Sequence, residues 1–292
     1  MSTLSVRVRA VAWAAVLAFV ITTLASGVWG ALLTANFKTS PTIPWAAVAM
    51  APFLWLLWQY LGGRWWPRST SEARRRCLRA RRASGRVFAW ALLTGALAVA
   101  ALSGCWIVLF QLVRMTPNLL PDLSAYSLVT LVPILLMASL VAPFSEEAAF
   151  RGYAQVILER RFSGTAAVLI SSLLFALAHL TQGLFWPKQL VYFLAGLLFG
   201  SIAYLTDSTL PAIPVHFLAD MTFFTLVWPF DKGRRLVWDG GADAWFWLHL
   251  AQTVVFAALA VVAFRGLAHA AARERASRTE LAAGRYSKGG SP

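Results

Sequence analysis

Residues 127–153 read SLVTLVPILLMASLVAPFSEEAAFRGY. Residues 128–144 carry no charge, and the run then meets Glu146, Glu147 and Arg151. A helix needs about 20 predominantly apolar residues to cross a bilayer. The stretch therefore predicts a membrane span with ionisable groups near its end. Seven further apolar stretches reach comparable length: 10–35, 44–62, 87–113, 165–184, 188–206, 209–229 and 244–265. The expected fold is all-α, a polytopic integral membrane helical bundle with about eight transmembrane helices.

Composition points the same way. Of 292 residues, 59% are hydrophobic and 13% are charged. Soluble domains carry about 25% charged residues, so a water-soluble globular domain and a disordered chain are both excluded. Cys77 lies in a basic loop and Cys105 inside an apolar run, which suits neither a disulfide nor a metal-binding cysteine pair. The apolar run after Arg7 and Arg9 exceeds the about 7–15 residues of a signal-peptide core, so it reads as a retained first span.

The formal charge is +14. In a soluble protein this would suggest nucleic acid. Here the basic residues sit between apolar runs, so they read as a topology signal and no nucleic-acid partner is expected. Loop 63–86 holds nine arginines and one acid, Glu72, which places it in the cytoplasm by the positive-inside rule. Alternating eight spans then puts both termini in the cytoplasm, in a multi-pass protein of the cell membrane surrounded by lipid. Cytoplasmic segments collect 19 lysines and arginines. The opposite side collects six: Lys38, Arg114, Lys188, Lys232, Arg234 and Arg235. Trp65, Trp66, Trp186, Trp228 and Trp245 fall near span ends, as an interfacial aromatic belt would.

The chain divides by this reading into N-terminal spans with their basic loop (1–126), a core rich in polar islands (127–230), and a last loop and span (231–265). A disordered basic cytoplasmic tail (266–292) is expected to follow.

Each charged group at mid-membrane costs about 2.5–3.5 kcal/mol. Glu146, Glu147, Arg151 and Asp220 together would cost on the order of 10 kcal/mol before pairing. With His179 and His216 they make six residues on three of the eight spans. Such clustering is the default sign of an intramembrane functional site. Glu147 and Arg151 are four residues apart, acid first, and would share a helix face as an ion pair. Glu146 points about 100° away and is left without a local cation; such a carboxyl suits general acid or base work. His216 with Asp220, and Phe175 with His179, share faces in the same way.

These residues resemble a known family. Glu146-Glu147-Ala148-Ala149-Phe150-Arg151-Gly152 matches EExxFRG, residues 175–179 match FxxxH, and residues 216–220 match HxxxN/D. In this order and spacing they resemble the CPBP family of type II CAAX prenyl endopeptidases, bacterial Abi proteins and bacteriocin-immunity relatives. The resemblance covers about 135–225. It implies an intramembrane endopeptidase acting on a membrane-associated peptide or protein. Glu146 with His179 would activate a water, and His216 with residue 220 would stabilise the oxyanion; Glu147, Arg151 and Phe175 would support them. Several family members carry Asn at the last position, where this chain has Asp220. A carboxylate donates a hydrogen bond only when protonated, so Asp220 is open to three roles: orienting His216, acting as a neutral donor, or ligating a metal. Two histidines with carboxylates also compose a zinc shell, but no HExxH motif is present. Metal-free catalysis is the favoured expectation, with zinc the other. A non-catalytic immunity or scaffold protein and, last, a proton-coupled transporter are the alternative functions.

Overall fold

The computed structural model describes residues 3–40, 42–118 and 126–288. Among them the regular elements are all helices. In chain order the α-helices are α1 (Thr3–Thr39), α2 (Trp45–Leu61), α3 (Ser71–Leu78), α4 (Gly85–Leu112), α5 (Leu128–Glu146), α6 (Gln155–Glu159), α7 (Gly164–Ala178), α8 (Trp186–Thr206), α9 (Ala212–Thr222), α10 (Val237–Gly240) and α11 (Ala244–Lys288). The π-helical segment Glu147–Ala154 joins α5 to α6 without a break. Seven of the described helices are long and apolar enough to cross a membrane. The eighth expected span, Trp45–Leu61, is apolar but has 17 residues, the lower limit for a crossing. The chain is a multi-pass membrane protein.

Side-chain contacts sort the helix ends onto two faces. At one end, Arg7 lies over Phe162, Arg79 pairs with Glu159 at 2.8 Å, Arg81 pairs with Asp207, and Ser84 donates to Glu274 at 2.6 Å. This is the basic face. At the opposite end, Asn36 closes the α1–α2 turn by donating to the carbonyls of Ser40 and Ile43 and accepting from the Ala46 amide. Thr130 donates to the Thr42 carbonyl beside it.

The basic loop is built rather than loose. Arg74 donates to the carbonyls of Trp65 and Pro67 and stacks on Tyr60. Arg79 is buried, in the left-handed region at φ 52°, where it turns the chain toward Glu159 and Asp207. Burial pushes the Arg79 guanidinium down from its usual range, against the opposing pull of those two acids.

Two packings position the site. The main core joins α1, α4, the π segment, α7, α8 and α9. A smaller cluster packs Ala25 and Trp29 of α1 with Met50 of α2 and Ile134 of α5. Helix α11 runs along α4.

Three expectations need correction. Residues 266–288 continue α11 instead of forming a disordered tail; residues 289–292 lie outside the described residues. Leu267, Ala270 and Ala271 are buried and Glu274 caps Ser84, a helical stripe that gives the segment something to pack on. Lys188, at the start of the expected span 188–206 and counted with the basic residues of the opposite side, does not face solvent. It is buried in the first turn of α8. Trp228 turns inward onto Trp106 and Phe223 rather than outward like Trp65, Trp66, Trp186 and Trp245.

Candidate active site

The EExxFRG stretch straddles the change from α5 to the π segment. Such π stretches inside helices are uncommon and frequent at functional sites. Pro143 lies one turn before it and cannot donate a helix hydrogen bond, which loosens the ladder at this point.

Glu147 is fully buried. Its Oε1 lies 3.1 Å from Arg151 Nη1 and accepts from His216 Nδ1 at 2.8 Å. Arg151 is fully buried as well. It donates to the Gly196 carbonyl at 3.3 Å and lies over the rings of Phe175 and Phe199, 4.3 and 5.1 Å from their centroids. The aromatic faces and the carboxylate together offset burial of the cation.

His216 stacks on Phe199 with centroids 4.3 Å apart and planes 13° apart. With Nδ1 held by Glu147, its Nε2 faces Glu146 Oε2 and Asp220 Oδ1, each at 3.7 Å. That distance is too long for a direct hydrogen bond and suits a bridging water. Glu146 Oε2 and Asp220 Oδ2 are buried and have no hydrogen-bond partner. Unsatisfied buried carboxyl oxygens are costly, so this corner of the protein is poised toward a ligand or a reaction.

His179 closes α7 and opens a 3-10 turn, His179–Gln182. Its Nδ1 meets the Phe175 carbonyl at 2.8 Å. A carbonyl only accepts, so Nδ1 carries the proton and Nε2 keeps a free lone pair. The ring stacks on Tyr192, with centroids 4.3 Å apart.

His179, His216, Asp220 and Phe175 line one cavity of about 60 Å³, with Tyr192, Phe199 and Trp228 among its other walls. A cavity of this size has room for a few waters. The geometry thus brings Glu146, Glu147, Arg151, His216 and Asp220 into one polar cluster, with His179 across the shared cavity.

Among the described residues no group of three or more His, Cys, Asp and Glu side chains is arranged to hold a metal ion, while the Nδ1 bond to Glu147 leaves His216 Nε2 as the nitrogen open to a ligand.

Residues 128–222 match the family model described as type II CAAX prenyl endopeptidase Rce1-like. The segment belongs to the CAAX protease family. It makes up about a third of the chain and contains all three motifs of the cluster. No curated protein and no solved structure matches the chain.

Within and beside the CAAX-protease segment, several residues escape a reading that looks for charges in spans. Asn118 donates to Gln182 Oε1 and to the Tyr192 hydroxyl, and accepts from Lys188 Nζ at 2.6 Å. Lys188 also donates to the Gln182 carbonyl, and the Tyr192 hydroxyl donates to Gln182 Oε1. These bonds clamp the turn that carries His179. One signal was available: Lys188, Tyr192, Gly196 and Gly200 recur every four residues and mark one face of α8.

Proposed function

We propose that the chain is an intramembrane endopeptidase that hydrolyses a peptide bond of a membrane-associated protein or peptide, using a water activated by Glu146 and His179. The observation that carries this reading is the shared cavity. It gathers His179 from the end of α7 with His216 and Asp220 from α9, beside a carboxyl oxygen of Glu146, at the end of α5, that no protein group satisfies.

In this reading Glu146 Oε2 takes a proton from the water, and the free Nε2 of His179 shares it and later protonates the leaving amine. His216 lies opposite. Doubly protonated, it would offer Nε2–H to the developing oxyanion while Nδ1–H stays on Glu147. Asp220 either holds that proton in place or, when neutral, donates beside it. Glu147 and Arg151 are positioning residues. They tie the first motif to the third through one carboxylate. The mechanism needs no metal. The basic face would lie in the cytoplasm, with both termini on that side of the cell membrane.

The test compares membranes holding the wild-type protein with membranes holding Glu146→Gln, by peptidomics, with a chelator arm. The expected result is a set of cleaved membrane peptides in the wild type alone, unchanged by chelation. Identical peptide sets from both proteins would overturn the peptidase reading. Loss of cleavage with chelator, restored by zinc, would overturn the metal-free mechanism.

A further inference from the structure

On the basic face, away from the catalytic cluster, a pocket of about 390 Å³ opens between the end of α2 and helix α3. Its lining includes Arg64, Arg75, Arg76 and Arg81, with Trp58 and Leu78 as apolar walls. The positive charge is only half answered. Arg76 pairs with Glu72, and Arg81 with Asp207, both at exposed positions. Arg64 reaches only the neutral Gln59 side chain, and the Arg75 guanidinium has no hydrogen bond or ion pair among the described residues. Two unmatched guanidiniums over one concavity make a site for a phosphate-bearing anion.

The pocket also has an apolar continuation. Trp55 lies three residues before Trp58, on the same face of α2 and one turn deeper toward the opposite end, and it is largely exposed. Trp65 and Trp66, both exposed, flank the site as interfacial side chains would. A free phosphate or an acidic peptide would use the arginines and leave this track empty. A phospholipid would use both.

We infer that the Arg64–Arg75 pocket binds the headgroup of an anionic phospholipid whose acyl chain lies along Trp58 and Trp55 of α2. A zwitterionic lipid carries the same phosphate, but its ammonium would face the arginines. The inference is independent of the proteolytic reading. Its walls nonetheless rest on the CAAX-protease segment: Tyr153 donates to the Leu61 carbonyl at 2.8 Å, and Gly152 sits against the backbone of Cys77 and Leu78. A bound lipid would therefore steady the π segment as well as the loop.

The test uses the full chain in detergent, titrated with phosphatidylglycerol or with phosphatidylcholine of the same acyl chains and read by native mass spectrometry. Glycerol 3-phosphate serves as the soluble anion. The expected result is binding of phosphatidylglycerol at least tenfold tighter than of phosphatidylcholine. Arg64→Gln with Arg75→Gln should remove that preference. Arg82→Gln with Arg161→Gln, which deletes the same charge from exposed positions outside the pocket, should keep it within twofold. Arg75→Gln alone, which breaks no side-chain hydrogen bond or ion pair among the described residues, should lower the preference for phosphatidylglycerol by itself. Equal binding of the two lipids would overturn the inference. So would equal losses in both double variants, which would mean attraction to the whole basic face. Saturation by glycerol 3-phosphate at the lipid's own concentration would reassign the pocket to a free anion.

Discussion

Glu147 and His216 stand 69 positions apart in the chain and meet through Oε1 and Nδ1 at 2.8 Å. The same oxygen lies 3.1 Å from Arg151. One carboxylate thus answers a buried cation and fixes the face that His216 turns toward Glu146 and Asp220. Removing it leaves a buried guanidinium uncompensated, which costs about 3–5 kcal/mol. Glu147→Ala is expected to lower the thermal unfolding temperature sharply, and Glu147→Leu with Arg151→Met to recover much of the loss. Unfolding of the purified protein in detergent measures both. A double variant less stable than Glu147→Ala would show that the pair contributes more than mutual compensation.

How far the site was legible follows from this pairing. Charges in an apolar span are expensive, so Glu146, Glu147, Arg151 and Asp220 stand out on composition alone. Spacing then puts Glu147 with Arg151. The bond from Glu147 to His216 was not legible, because it crosses between helices and depends on their rotation. The π segment was equally hidden: α and π registers differ in backbone hydrogen bonding, not in any residue pattern that marks one of them. Asn118 lay in a stretch that reads as an ordinary polar loop. The helical continuation of α11 was hidden by its arginines, although Leu267, Ala270, Ala271 and Glu274 carry a helical spacing along it.

Asp220 offers a direct test of the oxyanion side. Its Oδ2 is buried without a partner, and its Oδ1 stands 3.7 Å from His216 Nε2. An asparagine there supplies an amide donor without needing protonation. Asp220→Asn is expected to retain cleavage within about tenfold, whereas Asp220→Ala loses roughly 100- to 1,000-fold in kcat, the usual cost of one oxyanion donor. Single-turnover cleavage of a substrate found by the peptidomic comparison separates the two. Equal, severe losses in both variants would instead assign Asp220 a role that needs its negative charge.

The clamp on the His179 turn predicts a split between chemistry and binding. Asn118 is the hub that joins Lys188, Gln182 and Tyr192. Asn118→Ala should lower kcat by about tenfold or more with little change in KM, since small misplacements of a catalytic group are costly. It should also destabilise the fold by about 1–3 kcal/mol, because the Lys188 ammonium loses a buried acceptor. Adding Lys188→Met should restore stability but not kcat. Tyr192→Phe keeps the ring under His179 and should be milder than Tyr192→Leu. A purely structural clamp would move unfolding temperature and kcat together in all of these variants.

Gly196 tests whether close approach of α7 and α8 sets the position of Arg151. A Cβ added there would come within 2.9 Å of Ser172 Cα and Cβ, and the Gly196 carbonyl accepts from Arg151 Nη2 at 3.3 Å. The helices must part or Arg151 must shift. Gly196→Ala is expected to cost about 1–3 kcal/mol from overpacking, despite the better intrinsic helix propensity of alanine. Gly27→Ala is the control: nothing lies within 4 Å of its added Cβ, so propensity alone acts and stability should hold or rise. Thermal unfolding of the two variants in the same detergent reads the difference. If Gly196→Ala unfolds no earlier than Gly27→Ala, the α7–α8 contact has slack, and the placement of Arg151 rests on Glu147 and the aromatic rings instead.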